Sequence, residues 1–261
     1  MSKKIKKILD FKKRKIKISC LTAYSKNIAK LIDKNCDIIL VGDSLANVLY
    51  GMDNTHQISL QNIIQHGISV RKGIANSLLI IDMPKNTYNS IAQAKKNAKL
   101  IMQKTKSDAV KIESDNKNYK IIKELVNAKI PVMGHIGYTP QYKKKFRVEG
   151  KTNQEIKKLI KESLLIEKAG AFSIVLECLT PNAAKIITKS LKIPTIGIGS
   201  SSFCDGQILV TDDLLGLGSF YPKFVKKYAN LNTIIEKAVK KYTKEVKTKV
   251  FPKNRNFLYG K

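Results

Sequence analysis

Carboxylates recur directly after short, mostly apolar runs, and their type and spacing could do chemistry. The four are Asp43 after 38–42, Asp82 after 78–81, Glu113 after 109–112 and Glu177 after 172–176. Runs of this length that are rich in branched residues are typical of strands buried on both faces. Parallel strands end at the same edge of a sheet, so we expect these four carboxylates to converge on one mouth.

The expected chemistry is that of a hard cation, because carboxylates held close together repel one another unless a cation lies among them. Asp43, Asp82 and Glu113 form an oxygen-only ligand set, which predicts one Mg²⁺ per subunit rather than zinc. Such an ion can take the carboxylate and carbonyl of a 2-oxo acid and stabilise its enolate. Ser44 could donate to the substrate carboxylate, and Lys111 could supply positive charge beside Glu113. The alternative is that each acid only caps or pairs at a strand end.

Glu177 is the carboxylate left over, and if it is not a ligand it is a candidate general base. His135, at the end of the fifth strand, is the histidine expected to face the mouth, either bonding substrate or holding structure. His66 is expected at the surface of a helix, and nothing places His56. Strand alternation points the thiol of Cys178 away from Glu177, which favours core packing over a nucleophile.

The cysteines and the lengths of the apolar runs indicate where in the cell the protein is expected to work. Cys20, Cys36, Cys178 and Cys204 form no Cys-x-x-Cys pair, and the N-terminal residues show no export signal. We therefore expect free thiols and a cytoplasmic location. No apolar run reaches the roughly 18 residues of a membrane helix, so no membrane partner is expected.

The net charge of +29 raises the question of a polyanionic partner. Only four of the 49 basic residues are arginine, the side chain whose planar fork reads bases. The lysines are spread along predicted helices, which favours compositional bias and a solvated surface. We expect no specific nucleic-acid partner, although a lysine-rich nucleic-acid-binding protein remains the alternative of a different class.

Eight short strands alternate with helices along the 261 residues. The predicted strands are 18–24, 37–43, 78–82, 109–113, 131–137, 172–177, 194–199 and 208–210. The predicted helices between them are 26–35, 59–72, 89–104, 118–128, 152–169 and 181–190. This alternation predicts an α/β fold, a single-domain (β/α)8 TIM barrel, over 1–261. A short N-terminal helix precedes it and a lysine-rich helical tail follows; a doubly wound open sheet is the alternative.

The blocks around these strand ends resemble those of the ketopantoate hydroxymethyltransferase family over nearly the whole chain. They are Leu21-Thr22-Ala23-Tyr24, Val41-Gly42-Asp43-Ser44-Leu45, Asp82-Met83-Pro84, Val110-Lys111-Ile112-Glu113, 131–140, 149–152, Val175-Leu176-Glu177-Cys178, 193–199 and 204–207. The resemblance implies a barrel of the phosphoenolpyruvate/pyruvate superfamily type that assembles as a homo-oligomer, a decamer. A lyase or mutase of that superfamily is the nearest alternative, but those usually carry a loop cysteine near the fourth strand that is absent here.

The resemblance also implies an activity, the first committed step of pantothenate and so of coenzyme A synthesis. A hydroxymethyl group would pass from 5,10-methylenetetrahydrofolate to 3-methyl-2-oxobutanoate, giving 2-dehydropantoate by Mg²⁺-assisted enolate formation. The implied roles are Mg²⁺ on Asp43, Asp82 and Glu113, the ketoacid on Asp43, Ser44, Asp82 and Lys111, and the proton acceptor at Glu177. The folate donor follows from the resemblance alone, and no residue is assigned to it.

Three stretches depart from the family pattern without removing a ligand. They are Lys85-Asn86-Thr87-Tyr88 after Asp82-Met83-Pro84, Ser114-Asp115 after Glu113, and Lys143-Lys144-Lys145 in the polar loop 140–151. These changes bear on loop geometry and on the folate contacts.

Overall fold

Eight parallel strands close into a barrel in the computed structural model, which describes residues 2–114, 118–143, 145–253 and 256. The strands are β1 Ile18–Thr22, β2 Ile38–Val41, β3 Leu78–Asp82, β4 Ala109–Glu113, β5 Val132–Gly137, β6 Ser173–Glu177, β7 Thr195–Ile198 and β8 Gly206–Leu209. Each strand pairs with the next in sequence, and β8 pairs with β1. The predicted barrel is therefore confirmed, and the open-sheet alternative is wrong.

Successive side chains of each strand point alternately into the barrel and out to the helices. In β2, Ile38 and Leu40 belong to the inner cluster, whereas Ile39 and Val41 pack in the outer layer. Every residue of β2, β3, β4 and β5 is buried, which explains why these strands read as unbroken apolar runs.

Helices surround the barrel. They are α1 Lys3–Lys13, α2 Lys26–Ile32, α3 Leu45–Val48, α4 Leu60–Arg71, α5 Ile91–Thr105, α6 Tyr119–Asn127, α7 Asn153–Lys168 and α8 Pro181–Ser190. All of these except α3 and α6 begin at a side-chain cap. Ser59 and Asn62 form a capping box at α4, and Thr152 and Thr180 cap α7 and α8. The predicted helices are confirmed to within a few residues. Three short helices were not predicted: α3, a 3-10 helix at Thr55–Gln57 and a helix at Thr211–Leu215.

The N-terminal helix α1 closes the end of the barrel opposite the predicted mouth. Ile5 and Ile8 are fully buried within the same cluster as the inward-facing strand residues. Lys4 donates to the Ser77 carbonyl, and Lys12 donates to Asp205, both in segments that precede strands. One end of the barrel is thus plugged, and a site can form only at the other.

The chain divides into two compact units, Met1–Val210 and Thr211–Lys261. The second unit contains the short α9 Thr211–Leu215 and the lysine-rich α10 Leu231–Lys247, and α10 falls within the predicted lysine-rich tail. The prediction of a single domain over 1–261 concerns how the two units pack together, and it stays a prediction. None of the helices described here is both long and apolar enough to cross a membrane.

Candidate active site

Strand alternation turns the predicted site residues inward. Asp82 is in phase with Leu78 and Ile80 of the inner cluster, and Lys111 and Glu113 are in phase with Ala109. By the same alternation His135 follows Met133, and Glu177 follows Val175. All five lie in the last three residues of their strands, so they line the open end of the barrel.

Asp43 and Ser44 reach the same place from the loop after β2. The Asp43 backbone N–H donates to Asp82 Oδ2 at 3.1 Å, and Asp43 is 5% exposed. Ser44 starts α3, and its hydroxyl lies 2.8 Å from the Tyr24 hydroxyl of the β1 loop. A side chain at Gly42 would come within 3.0 Å of Ser44 Oγ, so the close approach of this turn needs glycine.

Lys111 supplies the positive charge of the site. Its Nζ lies 2.6 Å from Asp82 Oδ1, with the two side chains only 5% and 2% exposed. Burial lowers the pKa of Lys111, but Asp82, Asp43 and Glu113 raise it by more, so the ammonium stays charged. Burial raises the pKa of Asp82 to about 6 although Lys111 opposes the shift.

His135 lies between two of the predicted carboxylates. Its Nδ1 is 3.5 Å from Glu113 Oε1, and its Nε2 is 3.2 Å from Glu177 Oε2. Burial, followed by the charge of Lys111, lowers the pKa of His135 well below its usual value, so the ring is neutral. Burial also raises the pKa of Glu113 strongly and that of Glu177 to about 8. These groups are therefore short of compensating charge.

Sequence reasoning missed Gln141, which is fully buried at the start of the predicted polar loop 140–151. Its side-chain amide donates to Asp43 Oδ2 at 2.9 Å, and its backbone N–H donates to Glu113 Oε2 at 2.9 Å. The only signal was its place directly after the block 131–140. An uncharged amide in a polar loop gives no pattern that distinguishes it from a solvated residue.

His56 and the departing loop after Asp82 meet beside Gln141, whereas His66 lies against the loop after β1. Lys85 Nζ lies 3.2 Å from His56 Nδ1, and His56 Nε2 lies 2.9 Å from the Pro140 carbonyl, which can only accept. His66 is half-buried rather than at the surface, and its Nδ1 contacts the Tyr24 carbonyl at 2.6 Å. His56 thus fixes the loop after β5.

The two remaining departures lie partly outside the described residues, at Asp115 and Lys144. Of the rest, Lys143 donates to the Gly137 carbonyl at 2.6 Å and pairs with Glu149 at 3.0 Å. Arg147 makes a bidentate pair with the same carboxylate. Two basic side chains of this loop, Lys143 and Arg147, are therefore held by an internal acid.

The four cysteines are free, as expected. Cys178 is 1% exposed, and burial followed by the charge of Glu177 raises its pKa to about 12. A thiol with so high a pKa is almost never a thiolate near neutral pH, which agrees with a packing role.

The oxygen ligands at this end of the barrel suit a hard cation, but they are not arranged as a preformed metal site. Glu113 Oε1 is buried with no hydrogen-bond partner, and the nearby donors are carboxylate oxygens. Within the described part of the chain, however, no group of three or more His, Cys, Asp or Glu side chains stands ready to hold a metal ion. Asp43, Asp82 and Glu113 are instead linked through Lys111 and Gln141, so the metal assignment stays a prediction.

Comparison with known proteins gives one family and one fold. The model of the family described as ketopantoate hydroxymethyltransferase matches residues 2–254. A 3-methyl-2-oxobutanoate hydroxymethyltransferase of Pelagibacter ubique is 51% identical over 253 residues, covering 96% of this chain and 98% of that protein. The enzyme of the same name from Clostridioides difficile is 47% identical over 247 residues, covering 92% and 90%.

Solved structures show the same barrel at low sequence identity. Phosphonopyruvate hydrolase, crystallised with oxalate and Mg²⁺, matches with a TM-score of 0.65 and 10% identity, covering 99% of this chain and 92% of that one. A 2,3-dimethylmalate lyase, a member of the PEP mutase/isocitrate lyase superfamily, matches with a TM-score of 0.61 and 12% identity, covering 99% and 93%. These matches confirm the eight-stranded barrel fold.

Proposed function

This chain belongs to the ketopantoate hydroxymethyltransferase family, and we propose how its barrel performs the family's reaction. It is a transferase that hydroxymethylates 3-methyl-2-oxobutanoate in pantothenate biosynthesis. We propose 5,10-methylenetetrahydrofolate as the donor and 2-dehydropantoate as the product. The observation that carries the mechanism is the cluster of inward-facing acids around one buried lysine at the open end of the barrel.

The ketoacid is held where Ser44 and Lys111 face the mouth. An ammonium between carboxylates can hold an anionic substrate, and the Ser44 hydroxyl, fixed by Tyr24, can donate a further hydrogen bond. Asp43 and Asp82 complete the binding residues. We assign one Mg²⁺ per subunit to Asp43, Asp82 and Glu113. When bound, this ion supplies Lewis-acid stabilisation of the negative charge that develops on the ketoacid oxygen.

Glu177 takes the proton from C3 of 3-methyl-2-oxobutanoate, and the resulting enolate carbon bonds to the methylene carbon delivered by the folate. Both C–N bonds of that methylene group break in the transfer, one water molecule supplies the hydroxyl oxygen of the product, and tetrahydrofolate leaves. The two hydrogens of the water and the proton held by Glu177 end on the two folate nitrogens and the new hydroxyl group. Its pKa of about 8 lies near the operating pH, which lets one carboxyl both accept and release a proton. Neutral His135 lies with its Nε2 3.2 Å from Glu177 Oε2 and brings no full positive charge that would weaken the base.

Hydrogen exchange at C3 tests the base directly, because it needs no folate. Wild-type enzyme in deuterated water should exchange the C3 hydrogen of the ketoacid, followed by proton NMR. Glu177→Gln should lower the rate by about 10²–10⁴, the usual contribution of a positioned base. Glu124→Gln, on the outer surface, is the matched control. Undiminished exchange in Glu177→Gln removes Glu177 from this role.

Product formation tests the co-substrate and the metal. Purified enzyme with 3-methyl-2-oxobutanoate, methylenetetrahydrofolate and Mg²⁺ should form 2-dehydropantoate. A chelator should abolish the reaction, and added Mg²⁺ should restore it. Full activity in the presence of the chelator contradicts the magnesium assignment, whereas activity without folate contradicts the donor.

We propose further that the enzyme works in the cytoplasm as a homo-oligomer, a decamer, on the support of family membership alone. Light scattering coupled to size-exclusion chromatography measures the subunit number. A monomeric mass at micromolar concentration contradicts the proposal.

A further inference from the structure

Gln141 connects the loops of four strands through one buried side chain and its own backbone. The side-chain Nε2 donates to Asp43 Oδ2 at 2.9 Å and to the Met83 carbonyl at 3.1 Å. The Tyr88 hydroxyl donates to Gln141 Oε1 at 2.5 Å, and the Gln141 N–H donates to Glu113 Oε2 at 2.9 Å. Gln141 itself is 0% exposed, so solvent replaces none of these bonds.

Hydrogen-bond chemistry fixes which way the amide of Gln141 points. The Met83 carbonyl can only accept, so the nitrogen end must face it, and the oxygen end must face the Tyr88 hydroxyl. The second amide hydrogen is then directed at Asp43. A flipped amide would set its oxygen against a carbonyl and a carboxylate in a dry site, which is costly.

We propose that Gln141 is a positioning residue that holds Asp43 and Glu113 in the orientation needed for the cation and the ketoacid. Its side chain donates a hydrogen bond to Asp43 Oδ2, and its backbone N–H donates one to Glu113 Oε2. Glu113 Oε1, which is buried with no hydrogen-bond partner, is the oxygen left for a ligand. This inference rests on the proposed function, because it takes these two carboxylates as ligands.

Glutamine suits this position because the role needs two donors and one acceptor in a neutral group. Lysine would offer no acceptor to Tyr88, and a carboxylate would offer no donor to Asp43. Partners of this kind, which hydrogen-bond to metal ligands, typically change metal affinity or activity by 10- to 100-fold when they are removed. We expect the Gln141 side chain to fall in that range.

The test is the binding of Mn²⁺ alone, measured from the electron paramagnetic resonance signal of free Mn²⁺ with no substrate present. Gln141→Ala should weaken Mn²⁺ binding 10- to 100-fold. Tyr88→Phe keeps Gln141 but removes the donor that orients its amide, and should weaken binding by a smaller, several-fold factor. Gln207→Ala is the matched control, because that amide also donates to a carbonyl but lies at an exposed position of β8.

A structural role alone would lower the melting temperature and leave the affinity of the folded enzyme unchanged. Gln141→Ala or Tyr88→Phe protein that is folded by circular dichroism and binds Mn²⁺ like wild type therefore overturns the inference. If Gln141→Ala does not fold, Tyr88→Phe decides in the same way. Wild-type enzyme that binds no Mn²⁺ overturns the magnesium assignment itself, and this outcome is distinct from failure of the Gln141 proposal alone.

Discussion

Replacing Lys111 by methionine isolates the one buried charge pair at the centre of the site. Methionine keeps the length of the stem and removes the ammonium that lies 2.6 Å from Asp82 Oδ1. Both side chains are at most 5% exposed, so water cannot compensate the carboxylate that remains. Removal of one partner from a buried pair usually costs about 3–5 kcal/mol. We expect that loss in the free energy of unfolding near pH 8.

The loss in the free energy of unfolding should grow as the pH rises, and the titration of Asp82 is the reason. Burial raises the pKa of Asp82 from 3.8 to about 6 even with Lys111 present, so without Lys111 the pKa rises further. When the pKa of a carboxyl is higher in the folded state than in the unfolded state, the folded state keeps the proton over a pH range in which the unfolded chain has released it. The free energy of unfolding therefore falls as the pH rises through that range, until the folded-state pKa is passed. The variant should therefore lose up to about 1.4 kcal/mol more per pH unit between pH 6 and 8, and little at pH 5.

Urea unfolding at pH 5, 7 and 8 in the presence of a chelator measures this dependence. Lys111→Met/Asp82→Asn should recover part of the stability, because the carboxylate that lies 2.6 Å from the lost ammonium is then replaced by a neutral amide. Lys95→Met is the matched control: its partner Glu124 lies at the same 2.6 Å, but both side chains are about one-third exposed. That variant should lose less than about 1 kcal/mol. A loss below 1 kcal/mol in Lys111→Met at pH 8, or one independent of pH, refutes the reasoning.

Three further predictions concern residues around the site and below it. Asp33→Ala should cost about 2 kcal/mol at neutral pH, because backbone N–H groups outweigh burial and hold the pKa of Asp33 at about 2 instead of 3.8. In urea unfolding, that difference should vanish as the pH falls from about 4 towards 2. Tyr24→Phe should raise the KM for the ketoacid several-fold with little change in kcat, since it frees the Ser44 hydroxyl; an unchanged KM contradicts that role. Gly137→Ala should yield unfolded or inactive protein by circular dichroism and assay, because at φ +96° its Cβ would lie 2.1 Å from the Glu177 carbonyl oxygen.

Local patterns predicted the strands well because the barrel buries both faces of most of them. β3 and β4 were predicted to the residue, since an apolar run that ends at an acid marks the point where the interior meets the mouth. The same alternation placed Lys111 and Glu113 on one inward face. The predicted β8 began two residues late, because Gly206 and Gln207 carry no apolar signal although they pair with β1 and β7.

The contacts made by loops could not be predicted in this way. Gln141 lies 98 residues from Asp43 and 58 from Met83 in the sequence, and no periodicity relates a loop amide to partners so distant. The same holds for His56, whose ring contacts Pro140, 84 residues away. The roles of Asp43, Ser44, Asp82, Lys111, Glu113 and Glu177 stay predictions: the fold brings these residues together, but position alone does not assign their chemistry.

Acids at the two ends of the barrel show what separates a structural carboxylate from one available for chemistry. Asp33, at the plugged end, accepts N–H groups from three consecutive residues, and these hold its pKa low. Asp205 at the same end accepts hydrogen bonds from Lys12 Nζ at 2.7 Å and from a backbone N–H at 2.8 Å. At the open end, burial raises the pKa values of Asp82 and Glu177, because few donors face them. The same residue type is therefore satisfied by the fold at one end, and at the other it is available to the substrate and the cation that we propose.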